Sequence, residues 1–326
     1  MRRREFIAAL GGAAAWPVVA HAQGQRAIPV IGFLSGDSAS RAPLLNFFRE
    51  GIKTEGFVEG QNVALEFRTA EGQYDDLPAL ASELVNRKVS VIVAEGAVSS
   101  PLAAKQATTT IPIVFFTASD PVKWGLVTSL NRPGGNITGV SISYSELLPK
   151  RIEIMRELAP QAPVLGLIAN PNNPNTDGDA KMLSALGEAG GWTIKVVKVT
   201  REQDLKAAFD DLVEARVGAL TLGNDALLAS WYQQIANLAI RYKIPVVFSG
   251  RQFVVAGGLV AYGPRIGDLY RILGEYTGRI LKGTKPAELP VYYPTKYDLI
   301  VNLKAAKALG LTIPPSVLAR ADEVIE

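Results

Sequence analysis

The sequence predicts two similar α/β lobes, each built on a parallel sheet that is covered on both faces. Three observations carry this. Short Val- and Ile-rich runs recur from Ile28 to Tyr262, amphipathic stretches separate them, and the second half repeats the plan of the first. β-Branched strands, each followed by a helix of about ten to fifteen residues, read as βαβ units. Near-continuous apolar strands are those buried on both faces.

In the first half, the strand candidates lie at residues 30–34, 63–68, 89–94 and 111–116. A helix is expected over 43–55, where Leu44, Phe47, Phe48 and Ile52 share a face, and another over 77–87 with Leu80, Leu84 and Val85 inward. The Pro- and Gly-bearing segment 130–140 makes a loop from which a short strand leaves. It reads either as a turn that fixes the passage between lobes or as a ligand contact.

Second-half strands are expected at 164–169, 194–199, 219–222 and 244–248. The repetition is visible in letters. Ile31-Gly32-Phe33-Leu34 answers Leu165-Gly166-Leu167-Ile168, and Ile111-Pro112-Ile113-Val114-Phe115 answers Ile244-Pro245-Val246-Val247-Phe248. Duplication and a shared α/β rhythm both lead to two lobes. A helix at 266–281 should bury Leu269, Ile272, Leu273, Tyr276 and Ile280; a Pro-rich stretch, a strand at 298–302 and a helix at 303–309 follow. These late elements are too few for a third domain. They are therefore assigned back to the lobes: 27–141 plus 263–290 in the first, 142–262 plus 291–326 in the second. The chain then crosses more than once and forms a multi-strand hinge.

The first 22 residues read as a cleaved signal peptide. Arg2, Arg3 and Arg4 precede a short apolar run, and Ala20-His21-Ala22 is an A-x-A site. Arg3-Arg4 followed by Glu5-Phe6-Ile7 resembles the twin-arginine export motif. A membrane anchor would need about 20 apolar residues, whereas this run is shorter and is broken by Pro17. A periplasmic location follows, with cleavage near Ala22.

The chain has no Cys, and its one His is His21, inside the leader. The mature protein therefore lacks Cys/His zinc sites, disulfides, nucleophile–imidazole pairs and a lipid-bearing Cys. Loss of Arg2, Arg3, Arg4 and Glu5 takes the net charge from +3 to +1, so no basic footprint for nucleic acid is expected. No P-loop and no strand-linked G-x-G-x-x-G is present, and neither a cofactor nor a metal is expected.

Ligands of open parallel sheets bind outside the carboxyl ends of the strands. Those ends are Ser35-Gly36-Asp37, Ala70-Glu71-Gly72, Glu95-Gly96-Ala97 and Thr117-Ala118-Ser119-Asp120 in lobe one. In lobe two they are Asn170-Pro171-Asn172-Asn173, Thr200-Arg201, Gly223-Asn224-Asp225 and Ser249-Gly250-Arg251. Each residue reads either as an ordinary helix cap or as a ligand contact. Asp120, Asp225 and Glu95 can hold a cation, and the hydroxyls, amides and helix N-termini a carboxylate. That mixture suits a zwitterion such as an amino acid.

Several segments resemble one family. They are 31–35, then 51–62 ending in Gly56-Phe57-Val58-Glu59-Gly60-Gln61-Asn62, then Ser119-Asp120-Pro121 followed by Gly125-Leu126-Val127, and the stretches 131–139, 170–174, 257–263 and 302–315. Together they resemble the ABC-transporter substrate-binding proteins related to tryptophan/tyrosine receptors, from Ile31 to Glu326. The resemblance implies a type I periplasmic-binding-protein fold, with two Rossmann-like lobes closing over a small solute. It implies ligand contacts at Ser35, Gly36, Glu95, Ala97, Ser119, Asp120, Asn172, Asn224, Asp225 and Ser249. Asp120 or Asp225 would be the ammonium partner, and Ser119 with nearby N–H groups the carboxylate donors. Glu95 departs from the pattern, standing where a small or hydroxyl residue is expected. The implied partners are a small-molecule ligand and an ABC permease, with the binding protein itself monomeric. Two alternatives remain: a receptor feeding a membrane sensor, and a carboxylate-based periplasmic enzyme, which is disfavoured because no spacing marks a pair of acids.

Overall fold

The computed structural model describes residues 28–36, 42–142 and 144–326; the leader and Asp37 lie outside them. The β-branched runs of the first half form β1 (Val30–Ser35), β2 (Ala64–Thr69), β3 (Val91–Glu95), β4 (Ile113–Thr117) and β5 (Ile137–Ser141). They pair in parallel in the order β2-β1-β3-β4-β5. Successive side chains point to opposite faces of a strand, and both faces here are covered. Ile31, Phe33, Val91 and Val93 pack under α1 (Ala42–Thr54) and α10 (Ile266–Leu281). Leu34, Ile92, Ala94 and Phe115 pack under α2 (Leu77–Asn86) and α3 (Ser99–Ala107).

The second sheet contains β6 (Val164–Ala169), β7 (Thr193–Lys198), β8 (Val217–Leu222), β9 (Val246–Phe248), β10 (Val260–Gly263), β11 (Asp298–Asn302) and β12 (Glu323–Ile325). Its order is β12-β11-β10-β9-β8-β6-β7, and only the β10–β11 pair is antiparallel. Leu165, Leu167 and Val247 pack with α4 (Leu148–Leu158), α5 (Thr176–Gly190) and α11 (Leu303–Leu309). Ile168, Leu220 and Phe248 pack with α6 (Leu205–Glu214) and α8 (Tyr232–Tyr242). The short helices α7 (Ala226–Ser230), α9 (Arg251–Val255) and α12 (Pro315–Leu318) complete the set. Among the described residues no helix is long and apolar enough to cross a membrane.

The chain passes between the two sheets three times: from β5 to α4, from β10 to α10, and again before β11. The last passage is held against the first sheet. Ser141 N–H donates to the Tyr292 carbonyl, and Tyr292 N–H to Gly139, both at 2.9 Å. The Thr138 hydroxyl donates to the Leu289 carbonyl at 2.7 Å.

Candidate functional site

A cavity of about 430 Å³ opens between the carboxyl ends of the two sheets. The first sheet's side contributes Gly96 and Ala97 after β3, Phe116 and Ala118 at the end of β4, Tyr74, and the start of α1 with Leu44 and Phe47. The facing wall has Asn173 and Asn175 after β6, Asn224 and Asp225 after β8, Phe248, Ser249 and Gly250 at the end of β9, and Tyr232. Tyr144, on the first passage between the sheets, and Ile266, at the start of α10, close the sides.

Aromatic rings make up much of this wall and are braced from behind. Tyr232, Phe248 and Phe253 meet edge to face, with centroids 5.4, 5.7 and 6.0 Å apart. Phe116 leans on Tyr270 at 5.1 Å. Such edge and tilted contacts are the preferred aromatic arrangements, and they fix the rings in place.

Of the ten residues singled out from the sequence, Ala97, Asn224, Asp225 and Ser249 line the cavity. The other six stand outside its wall. Ser35 is buried at the end of β1. Gly36 backs onto Tyr74, whose ring lies 2.8 Å from where a Cβ would stand. The Glu95 carboxylate, also buried, accepts the Tyr270 hydroxyl. Asp120 is exposed and accepts from the N–H groups of Val122 and Lys123 at 2.9 and 3.1 Å, the behaviour of a local cap. Asn172 is exposed, and its N–H donates to the Asn170 side chain. Ser119 makes a contact across the cleft: its hydroxyl and the Asn175 side-chain amide lie within 2.7 and 3.0 Å of each other.

Asp225 reaches the cavity but is held in a network of its own. It is 8% exposed and caps α7 through Oδ1, which accepts from Leu227 N–H at 3.0 Å and Leu228 N–H at 3.3 Å. Asn173 donates to its Oδ2 at 2.9 Å, and Asn170 reaches both oxygens at 3.3 Å. Next to it, the Asn224 Oδ1 accepts the Ser249 hydroxyl at 3.2 Å.

Arg151 of α4 is among the largest fully buried side chains of the described residues, at 0% exposed. Its guanidinium lies against two cavity walls, 5.4 Å from the Tyr144 ring and 5.7 Å from that of Phe248, within the range of cation–π attraction. Nε makes one long hydrogen bond, to the Tyr262 carbonyl at 3.4 Å. Burial pushes its pKa down to about 10, partly offset by Tyr144, Asp179, Tyr232 and Tyr262. It remains cationic at neutral pH. Among the described residues no group of three or more His, Cys, Asp and Glu is placed to hold a metal.

The residues found only in the structure are mainly the aromatics. Leu44 and Phe47 share the apolar face of α1 with Phe48 and Ile52, so their period marks them as core. They do pack against that core, and at the start of the helix the pair lines the cavity as well. A signal for Phe116 and Phe248 is present in the sequence: Phe116 is the last residue but one of β4 and Phe248 the last of β9, each immediately before a polar residue.

The ABC transporter substrate-binding protein family matches residues 27–325. The chain belongs to this family. Its two-lobed architecture is that of type I periplasmic binding proteins. A tyrosine-binding protein of Clostridioides difficile (strain R20291) is 28% identical over 81% of this chain and 75% of its own length. An ABC domain from Streptococcus pneumoniae, solved in complex with L-Trp, is 26% identical with a TM-score of 0.77, covering 91% of this chain and 99% of that one. The ligand-free, open structure of a Clostridium difficile substrate-binding protein with adhesive properties has the same coverage and 28% identity, but a TM-score of 0.63.

Proposed function

We propose that the protein is the periplasmic solute-binding component of an ABC import system, capturing an amino acid or other aromatic solute between its lobes and handing it to a membrane permease. One observation carries the reading: a cavity walled by Phe47, Tyr74, Phe116, Tyr144, Tyr232 and Phe248 lies where strands from both lobes end. Enclosed, largely apolar pockets with a few placed polar groups are the usual form of small-ligand sites. The tyrosine- and L-Trp-binding relatives support an aromatic cargo. Selection of the closed form by the ligand would signal occupancy to the permease.

A thermal-shift screen of the mature protein tests this. Saturation with the correct solute at about 100 times its Kd adds about 2.7 kcal/mol of stability. Aromatic amino acids or aromatic acids are expected to raise Tm, and sugars and aliphatic amino acids are not. No shift from any aromatic solute would remove the assignment.

The route out of the cytoplasm is tested separately. Changing Arg3 and Arg4 to Lys together is expected to abolish periplasmic accumulation, since the twin-arginine motif depends on that pair. Normal accumulation of the variant would return the leader to the general secretory pathway.

A further inference from the structure

Two donor groups on the second lobe's side have no partner among the described residues: the two terminal nitrogens of Arg151, and Nδ2 of Asn224. Buried polar groups are nearly always paired, and nearby Asp179 offsets the buried Arg151 charge only in part. Both donors gather around the end of β9. The Phe248 ring lies against the guanidinium, and the Ser249 hydroxyl occupies the Asn224 carbonyl oxygen, leaving its amide nitrogen free.

Acceptors are in the opposite condition. A carboxylate offers about four lone-pair sites, and those of Asp225 are taken up by the Leu227 and Leu228 N–H groups and the amides of Asn170 and Asn173. Asp120 caps its own exposed loop, and Glu95 accepts Tyr270 outside the cavity wall. Unfilled donors and filled acceptors call for a ligand that brings an anion and needs no anion in return.

We infer that the ligand is an aromatic carboxylate whose carboxylate is held by Arg151 and Asn224, and that an α-ammonium group contributes nothing to its recognition. This rests on the reading of the cavity as an aromatic-solute site. Arg–carboxylate pairing in a water-poor pocket is among the strong polar contacts, and the aromatic walls take the ring. The guanidinium lies directly behind Tyr144 and Phe248, two residues that line the cavity, so the carboxylate reaches Arg151 only as these rings turn aside.

Calorimetric titration with 3-(4-hydroxyphenyl)propanoate, its methyl ester, tyrosine and tyramine separates the outcomes. The acid and tyrosine are expected to bind within about threefold of each other, and the ester and tyramine at least about 100-fold more weakly. Arg151→Met should erase the preference for acid over ester while leaving Tm at or above the wild-type value. Arg151→Lys should keep the preference in weakened form. The acid–ester comparison on the wild-type protein needs neither variant to fold. An ester that binds as tightly as the acid, or an Arg151→Met protein that retains the preference, overturns the carboxylate anchor while leaving an aromatic-solute site in place. Tyrosine binding more than about tenfold tighter than its deaminated analogue overturns the ammonium clause. If none of the four binds, the aromatic-solute reading falls, and this inference with it.

Discussion

Replacing Asp225 by Ala is expected to destabilise the ligand-free protein by about 3 kcal/mol. The loss combines an N-cap, about 1 kcal/mol, with the cost of leaving an N–H of the Asn170 amide and one of the two N–H groups of the Asn173 amide unpaired in a buried site, about 1 kcal/mol each. Asp225→Asn keeps an oxygen for the Leu227 and Leu228 N–H groups but sets its own NH₂ against those amides. It should lose about half as much. Chemical denaturation of the three proteins without ligand measures this. If Asp225 were instead a ligand's ammonium partner, ligand-free stability would hardly change and only cationic solutes would lose affinity; that result would restore the ion-pair role.

Gly51→Ala is expected to cost about 3 kcal/mol, at the upper end of what overpacking does, and to lower Tm by roughly 5–10 °C. A Cβ on Gly51 would stand 2.0 Å from the Arg271 carbonyl oxygen, so α1 and α10 touch backbone to backbone. Gly274, on the other helix, would meet the Phe48 carbonyl oxygen at 2.3 Å. Backbone atoms cannot rotate away as a side-chain tip can, so the helices must separate. The Leu269–Phe48–Ile52 core would then open with them. Gly56→Ala is the control. Nothing lies within 4 Å of the added carbon there, and only the left-handed φ of 84° is strained, at about 1 kcal/mol. Equal losses at the two positions would refute the close-contact explanation.

The strands were legible because β-branched runs buried on both faces leave a continuous apolar signature. The runs at 164–169 and 298–302 form β6 and β11 over those same residues, and the helices expected at 266–281 and 303–309 form α10 and α11. Several strands begin later than their apolar runs. β9 starts at Val246 because Ile244 and Pro245 complete the turn out of α8, and Pro has no N–H to give a ladder. The antiparallel β10–β11 pair carries no local signal, since its direction is set by the passage that separates the strands. The close helix pair was not read from the sequence, although Gly274 and Gly278 recur four apart on the face of α10 that meets Gly51 and Glu55.

The site was legible by position more than by residue. Strand ends located the cavity, and Asn224, Asp225 and Ser249 lie on it. Caps and contacts share one vocabulary of Asp, Asn and Ser, so Asp120 could not be told from a ligand partner until its exposure and its bonds to Val122 and Lys123 were seen. Arg151 carried no mark at all. It sits in α4 among Leu148, Ile152 and Met155, and a charged residue at that spacing reads as solvent-facing. Only the third dimension brings it against Tyr144 and Phe248.

The pairing of α1 with α10 also has a consequence for synthesis. Glu50 and Arg271, an ion pair at 3.0 Å, are 221 residues apart in the chain. At about 5–20 residues per second, the ribosome delivers α10 on the order of 10–40 s after α1. Until then Phe48 and Ile52 have no second helix to cover them. Strands β6 to β10 of the second sheet are made in the interval, so the first lobe stays incomplete while most of the second sheet is being delivered, and only β11 and β12 follow α10.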